Sequence, residues 1–378
     1  MRRTVLILPG LLSVPDGESF LRKGFPSLST LCERGSLSKV AEIPGTETPE
    51  AMLLGMSQNL VRLNQGPLTV SALGFDPPEK STHFHLSLMA FQDGVAARPT
   101  LMAKPEEVEL ILNAAKRLDT KVLTVLKGEG FDHALVWEAL GDMGTASVTE
   151  VDGKLLRENL PQGDGESILR RFIDDSINLL SDLELNERRL DEGLPPFNLL
   201  WPWGQGIRTS VPNLALRRGE PATVESASLR LAGLTRLTGY KHENRAVVGR
   251  GLSTRLRAIA DRATKRPLTI VYLDVAELLR RENKPEELDW FIREVDRELI
   301  QPLLEDHLKT PSRLTFMAPA PFALQGNGDM IPSAVGLSVS VETGHIHQNI
   351  YPFDERSLEE KSIPARDLWT LVEQGIES

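Results

Sequence analysis

The sequence predicts an α/β protein: a doubly wound sheet of buried parallel strands, interrupted by a smaller inserted α+β domain. Three observations predict it. Short continuous apolar runs recur at residues 4–8, 197–200, 245–248, 268–273 and 314–317, the pattern of strands covered on both faces of a parallel sheet. Helical patterns lie between several of them, as in alternating β and α units. Residues 64 to about 160 instead carry shorter, hairpin-like runs, which read as a different kind of domain.

The elements follow in order. The first run, 4–8, stops at Pro9-Gly10. Inside the insert, strand-like runs at 69–75, 83–91, 121–126 and 133–138 surround one helix at 105–118. A long helix over 166–190 turns Ile168, Leu169, Phe172, Ile173, Leu180 and Leu183 inward. Residues 251–263 place Leu252, Leu256, Ile259, Ala260 and Ala263 on one helical face. A further helix over 285–305 opens with Pro285, whose missing N–H is harmless in a first turn. The core domain is therefore expected at 1–63 and 161–378, with the insert at 64–160.

A length of 378 residues has room for two domains, and 40% apolar residues suffice for a sizeable core. The net charge of −10, without a long basic run, argues against nucleic acid and anionic membrane as partners. A small molecule or another protein is the expected partner, and self-association stays open. Cys32 is the single cysteine, so no intrachain disulfide exists and no Cys/His cluster offers structural zinc. The apolar run behind Arg2 and Arg3 is too short for a secretion signal and meets Pro9, Gly10 and Pro15. No run of about 18 apolar residues occurs, and a soluble, cytoplasmic protein is expected.

Five strings appear in an order that carries a resemblance: LILPG at 6–10, PGTETPEAMLLG at 44–55, GPLTVSALG at 66–74, LPPFNLLWPWGQG at 194–206 and FIREVDRELIQPLLE at 291–305. In these the chain resembles the shorter, archaeal-type cofactor-independent phosphoglycerate mutases of the alkaline phosphatase superfamily. The resemblance implies an alkaline-phosphatase-like core sheet with an inserted lid. It also implies two divalent metals around a serine that becomes transiently phosphorylated, and arginines that clamp the substrate's phosphate and carboxylate. Such chemistry needs carboxylates and imidazoles to hold the metals and a hydroxyl to attack.

At the positions the resemblance assigns, most of these groups are replaced. The metal-binding aspartate that ends the first strand is Pro9, which has no ligand to offer, and Asp16 lies seven residues further on. The nucleophilic serine is Thr46, followed by Glu47; before Pro49 the two also read as helix-capping chemistry. The family's Asp-Glu-Ala-Gly-His-Asp string, counted back from Asp296, overlays residues 277–282, so that Glu277 and Glu282 remain as carboxylates while the histidine becomes Arg281. Those glutamates also read as a solvated, charged helix approach. The second Asp-His pair gives way to APAPFALQ at 318–325, and Asp306-His307 precedes that strand, where it reads as a helix C-terminus. In the clamp, Gln65, His85 and Asp132 stand for arginines, while His133 is retained. None of the three replacements reproduces the guanidinium fork.

Two further motifs read as backbone structure. His345-Ile346-His347 puts two imidazoles on one strand face without a nearby third ligand, and Gly204-Gln205-Gly206 is a bare GxG. The expectation is a metal-free, cofactor-free relative that binds, regulates or assembles. The alternative is a phosphotransferase or phosphatase with a rearranged site built on Thr46, Glu47, Glu277, Glu282 and His133. A third reading, an unrelated α/β enzyme, is decided by strand order and the position of the insert.

Overall fold

β1 (Arg2–Ile7) is the strand its composition demands: Val5, Leu6, Ile7 and the following Leu8 are all fully buried, so both faces of the pleat are covered. A computed structural model describes residues 1–11, 25–40, 54, 63–99, 104–208, 210–243, 252–281, 284–318, 336–343 and 362–363. The chain divides into two units: Met1–Leu60, Pro212–Ser228 and Thr238–Ser378 form one, and Val61–Val211 with Leu229–Leu237 the other.

In the first unit β1 pairs in parallel with β13 (Leu268–Tyr272) on one side and β14 (Ser312–Ala318) on the other. The sheet continues through β11 (Thr223–Ser226) to β12 (Lys241–Glu243), and from β14 through β15 (Gly336–Glu342) and β2 (Ser36–Val40) to β16 (Ser362–Ile363). β15 runs antiparallel to both its neighbours, and the pairs from β12 to β14 are parallel. Helices Pro26–Arg34, Leu252–Ala263 and Pro285–Val295 pack their apolar stripes on this sheet, with Cys32 fully buried among them.

The expected helix over 285–305 is continuous but changes gauge. Pro302 lacks an N–H and its ring conflicts with the carbonyl four residues back, and the turn Asp296–Ile300 just before it is π-helical. Buried Asp296 there accepts from the backbone N–H groups of Leu28, at 2.7 Å, and Ser27, at 3.2 Å. It thereby caps helix Pro26–Arg34, which has no side-chain cap of its own. Burial raises its carboxyl pKa and these hydrogen bonds oppose the rise.

The second unit has its own sheet, ordered β5 (Leu123–Glu129), β6 (Asp132–Trp137), β3 (Thr82–Gln92), β4 (Val95–Ala97), β8 (Lys154–Leu155), with β10 (Leu199–Gly206) also on β3. A two-stranded piece, β7 (Met143–Gly144) with β9 (Gln162–Gly163), stands beside it. Helix Pro105–Ala115 and helix Glu166–Ser181 cover its apolar face.

The structure corrects four expectations. Residues 69–75 do not form a strand: Gln65–Ala72 is a helix, because packing on β3 outweighs local β propensity, and the Thr69 hydroxyl then donates back to the Gln65 carbonyl at 2.9 Å. The run 197–200 does not enter the core sheet, since β10 pairs antiparallel with β3. The helix expected over 166–190 is broken into Glu166–Ser181 and Glu184–Asp191, with Asn186 Nδ2 donating to the Leu180 carbonyl freed at the break, 2.8 Å away. The second unit extends past residue 160 to Val211 and takes in Leu229–Leu237, because β10 and helix Glu166–Ser181 complete its sheet and core. The expected strand at 245–248 lies outside the described residues.

Candidate functional site

Alternation along β3 sorts chemistry by face. His83, His85 and Ser87 stand opposite Val136, Ala134 and Asp132 of β6, and opposite Gly206, Trp203 and Trp201 of β10. Phe84, Leu86 and Leu88 point the other way, into the apolar core with Leu135, Trp137 and Leu200. Helix Gln65–Ala72 lies on the polar face, where Val70 meets Ala134 and Val136. Its approach is so close that a Cβ on Gly66 would sit 2.2 Å from the His83 carbonyl oxygen, so only glycine fits there.

That approach brings Thr69 onto His85. Thr69 Oγ1 lies 2.8 Å from His85 Nδ1, and His85 Nε2 lies 3.0 Å from Asp132 Oδ1. Gln65 closes the inner end, its carbonyl 2.9 Å from the Thr69 hydroxyl and its Nε2 3.5 Å from the same oxygen. Trp203 presents its ring edge-on to His85, 5.0 Å between centroids, and donates from Nε1 to Ser87 Oγ at 2.9 Å. Three positions singled out in the sequence, Gln65, His85 and Asp132, thus form one hydrogen-bonded chain. Its link, Thr69, was assigned to a strand and missed; the i, i+4 spacing from Gln65 was the available signal. His83 was missed too, although the H-x-H-x-S alternation of β3 announces a polar face.

Burial alone would raise the Asp132 carboxyl, but the His85 hydrogen bond and the charges of His85 and His133 outweigh it and hold the carboxyl below its usual range. Its side chain is 57% exposed, so the chain ends in a carboxylate at the surface. Thr69 is fully buried. The order hydroxyl, imidazole, carboxylate is that of an activated nucleophile, but a hydroxyl sealed under a helix cannot reach a substrate. The arrangement orders side chains and does not present a nucleophile.

His133 does not join this chain. It is fully buried and on the opposite face of β6 from Asp132, as its alternation requires. The Gly128 N–H donates to its Nδ1 at 3.0 Å, so the neutral ring carries its hydrogen on Nε2, which has no partner among the described residues. Burial, opposed mainly by the Asp132 charge, pushes its pKa down to about 4.

In the first unit, Pro9 follows β1 as the sequence indicated, and the Arg280 guanidinium occupies that loop: Nε donates to the Gly10 carbonyl and an Nη to the Leu11 carbonyl, the latter at 3.2 Å. Burial lowers the Arg280 pKa. Glu277 and Arg281 fall on helix Val275–Arg281; their side chains, with Thr46, Glu47, Glu282, His345, His347 and residues 319–335, lie outside the described residues. Asp306 pairs with Arg2 of β1, and His307 Nδ1 meets Ser312 Oγ of β14 at 3.0 Å; together they hold the helix end to two adjacent strands. Among the described residues no group of three or more His, Cys, Asp or Glu is arranged to hold a metal. Gly204 and Gly206 are close-approach positions: Gly204 has φ +62° and a Cβ there would lie 2.8 Å from that of Gln65. The Gln205 carbonyl accepts from Asn64 Nδ2 at 2.6 Å, so this segment packs against the helix start. A cavity of about 620 Å³ in the second unit is lined by aliphatic side chains such as Leu155 and Ile177 together with Asp93, Arg157, Asp174 and Asn178, and by no imidazole. No helix among the described residues is long and apolar enough to cross a membrane.

Comparison with known proteins places this geometry in context. No family model matches the chain. It is 22% identical over 342 residues to the 2,3-bisphosphoglycerate-independent phosphoglycerate mutase of Methanothrix thermoacetophila, covering 84% of this chain and 85% of that protein. It is likewise 22% identical over 391 residues to the enzyme of the same description from Methanosarcina barkeri, covering 96% of each. Among solved structures, the cofactor-independent phosphoglycerate mutase of Thermoplasma acidophilum is similar with a TM-score of 0.60 and 18% identity over 99% of both chains. The PH0037 protein of Pyrococcus horikoshii is similar with a TM-score of 0.72 and 16% identity, over 100% of this chain and 98% of that one. The homologues are thus archaeal phosphoglycerate mutases at low identity, and the fold is that of the cofactor-independent enzymes with their alkaline-phosphatase-like core. The reading as an unrelated α/β enzyme falls.

Proposed function

We propose that this diverged relative of the archaeal phosphoglycerate mutases keeps their fold and uses it for binding, in a regulatory or structural role, without mutase turnover. The observation that supports the reading is the chain from Gln65 through Thr69 and His85 to Asp132. Where the resemblance implies three guanidiniums open to an anion, these side chains are hydrogen-bonded to one another and end in an exposed carboxylate. A phosphorylated acid would meet repulsion there in place of donor forks.

The two divalent metals that the resemblance implies do not fit the donors described. Pro9 has no side-chain ligand, and the loop after β1 holds the Arg280 guanidinium. A divalent cation within about 4 Å of that guanidinium would be opposed by roughly 8 kcal/mol at an effective dielectric constant near 20.

The test is an assay of the full chain for interconversion of the phosphoglycerates and for phosphomonoester hydrolysis, with manganese and magnesium supplied. No turnover is expected. Turnover that disappears in Thr46→Ala would overturn the reading and assign phosphoryl transfer to a rearranged site.

A further inference from the structure

The cavity of about 620 Å³ in the second unit lies between helix Glu166–Ser181, the turn that joins β3 to β4, and residues 155–160. None of its lining residues belongs to the chain from Gln65 to Asp132. Part of its wall is apolar. Phe91, Leu160 and Ile177 are half-buried, packed on one side against the buried cluster that holds Leu156, Ile173 and Trp201, and they line the cavity. An apolar wall with a few polar groups at this volume is the usual form of a small-molecule site.

Charge narrows the occupant. Asp93, Arg157, Asp174 and Asn178 line the same cavity and are all exposed. Arg157 already has a carboxylate, that of Glu158 at 3.9 Å, whereas the side chains of Asp93 and Asp174 have no ion pair or hydrogen bond among the described residues. The turn does not account for the charge of Asp93. Asp93 and Gly94 both have positive φ, +53° and +82°, and asparagine suits such a two-residue turn as well as aspartate. Asp174 and Asn178 are four residues apart on helix Glu166–Ser181, hence on one face. Two carboxylates and an amide oxygen supply an acceptor for each N–H of a primary ammonium. Two carboxylates against one arginine leave the lining a single negative charge, matched by a monocation.

We infer that this cavity binds a small organic monocation, a primary ammonium carried on an apolar body. Asp93, Asp174 and the Asn178 amide oxygen accept from the ammonium, and the apolar body lies on Phe91, Leu160 and Ile177. An anion of the same shape meets two unpaired carboxylates and is repelled. Because the lining shares no side chain with the altered clamp, binding here and the absence of mutase turnover hold or fail separately.

The experiment is a methyl NMR titration of the full chain at neutral pH with phenethylammonium. Phenethyl alcohol, which exchanges the ammonium for a hydroxyl, and hydrocinnamate, which exchanges it for a carboxylate, serve as controls. Saturable shifts of the Leu155, Leu160 and Ile177 methyls are expected with the ammonium, with affinity roughly tenfold lower for the alcohol and no saturation with hydrocinnamate. Asp174→Asn, at an exposed helix position, and Asp93→Asn, which the turn accepts, are each expected to weaken the ammonium by roughly threefold to tenfold with an unchanged unfolding midpoint. Absence of saturable shifts, shifts confined to other methyls, equal affinity for the alcohol, tighter binding of hydrocinnamate, or indifference to both substitutions would each overturn the inference.

Discussion

Buried Glu225 of the first sheet and buried His83 and His133 of the second differ in how fully their hydrogen bonds are met. In the first, Glu225 on β11 is fully buried, yet every demand of its carboxylate is met: Arg262 bonds both oxygens, at 2.8 and 2.9 Å, and Arg266 adds a third bond at 3.0 Å. In the second, the buried imidazoles of His83 and His133 each keep one nitrogen without a partner among the described residues. A saturated buried charge is a structural joint, because nothing further can bind it. An unsaturated buried donor or acceptor leaves a desolvation cost that no bond offsets. The contrast is between sites and not between whole sheets, since buried Thr269 Oγ1 of β13 in the first sheet also lacks a partner among the described residues.

The largest effect should come from breaking the saturated joint. Glu225→Ala leaves Arg262 and Arg266 with Glu243 as their remaining carboxylate, and denaturant unfolding should show a loss of about 3 kcal/mol, the lower end for a buried pair because both guanidiniums are partly exposed. An unchanged midpoint would erase the distinction between the sites.

The unsaturated imidazoles should make stability depend on pH. Both have folded-state pKa values near 4, against about 6.5 when unfolded. Between those values the unfolded chain binds more protons, so stability falls as pH drops from about 6.5 toward 4, by up to about 1.4 kcal/mol per pH unit for each ring. Urea titrations across this window check the slope; a flat profile would show that the rings are not buried neutral.

Thr69→Val keeps the shape of the helix face and removes the link to His85. A loss of about 1 kcal/mol is expected, together with a changed His85 Nδ1 resonance by NMR. If the clamp region still gripped substrate, this variant would alter ligand binding; if it is an internal chain, stability alone responds.

The smallest expected effect is none. Millimolar 3-phosphoglycerate should leave the thermal midpoint unchanged, whereas a site at a hundred times its dissociation constant would add roughly 2.7 kcal/mol. Chelation should likewise leave the midpoint in place, since Pro9 and Arg280 offer no inherited metal donor.

The sequence by itself determined the buried strand β1, the amphipathic helices Leu252–Ala263 and Pro285–Val295, and a proline without a side-chain ligand at position 9. These follow from short-range period and residue chemistry, which neighbours along the chain settle. It also singled out Gln65, His85 and Asp132, none of which carries a guanidinium. Only the tertiary structure decided that 65–72 is a helix, because Gly66 against the His83 carbonyl is a contact 17 residues away in sequence. The same holds for β10, whose apolar run reads alike in either sheet until pairing with β3 assigns it to the second unit. The tautomer of His83 depends on where Ser81 spends its own hydrogen. Arg208 and Arg236, 28 residues apart, line one cavity only once their elements are packed. Periodicity is local and legible in one dimension; hydrogen-bond saturation depends on what folding brings within 3 Å, and no spacing along the chain encodes it.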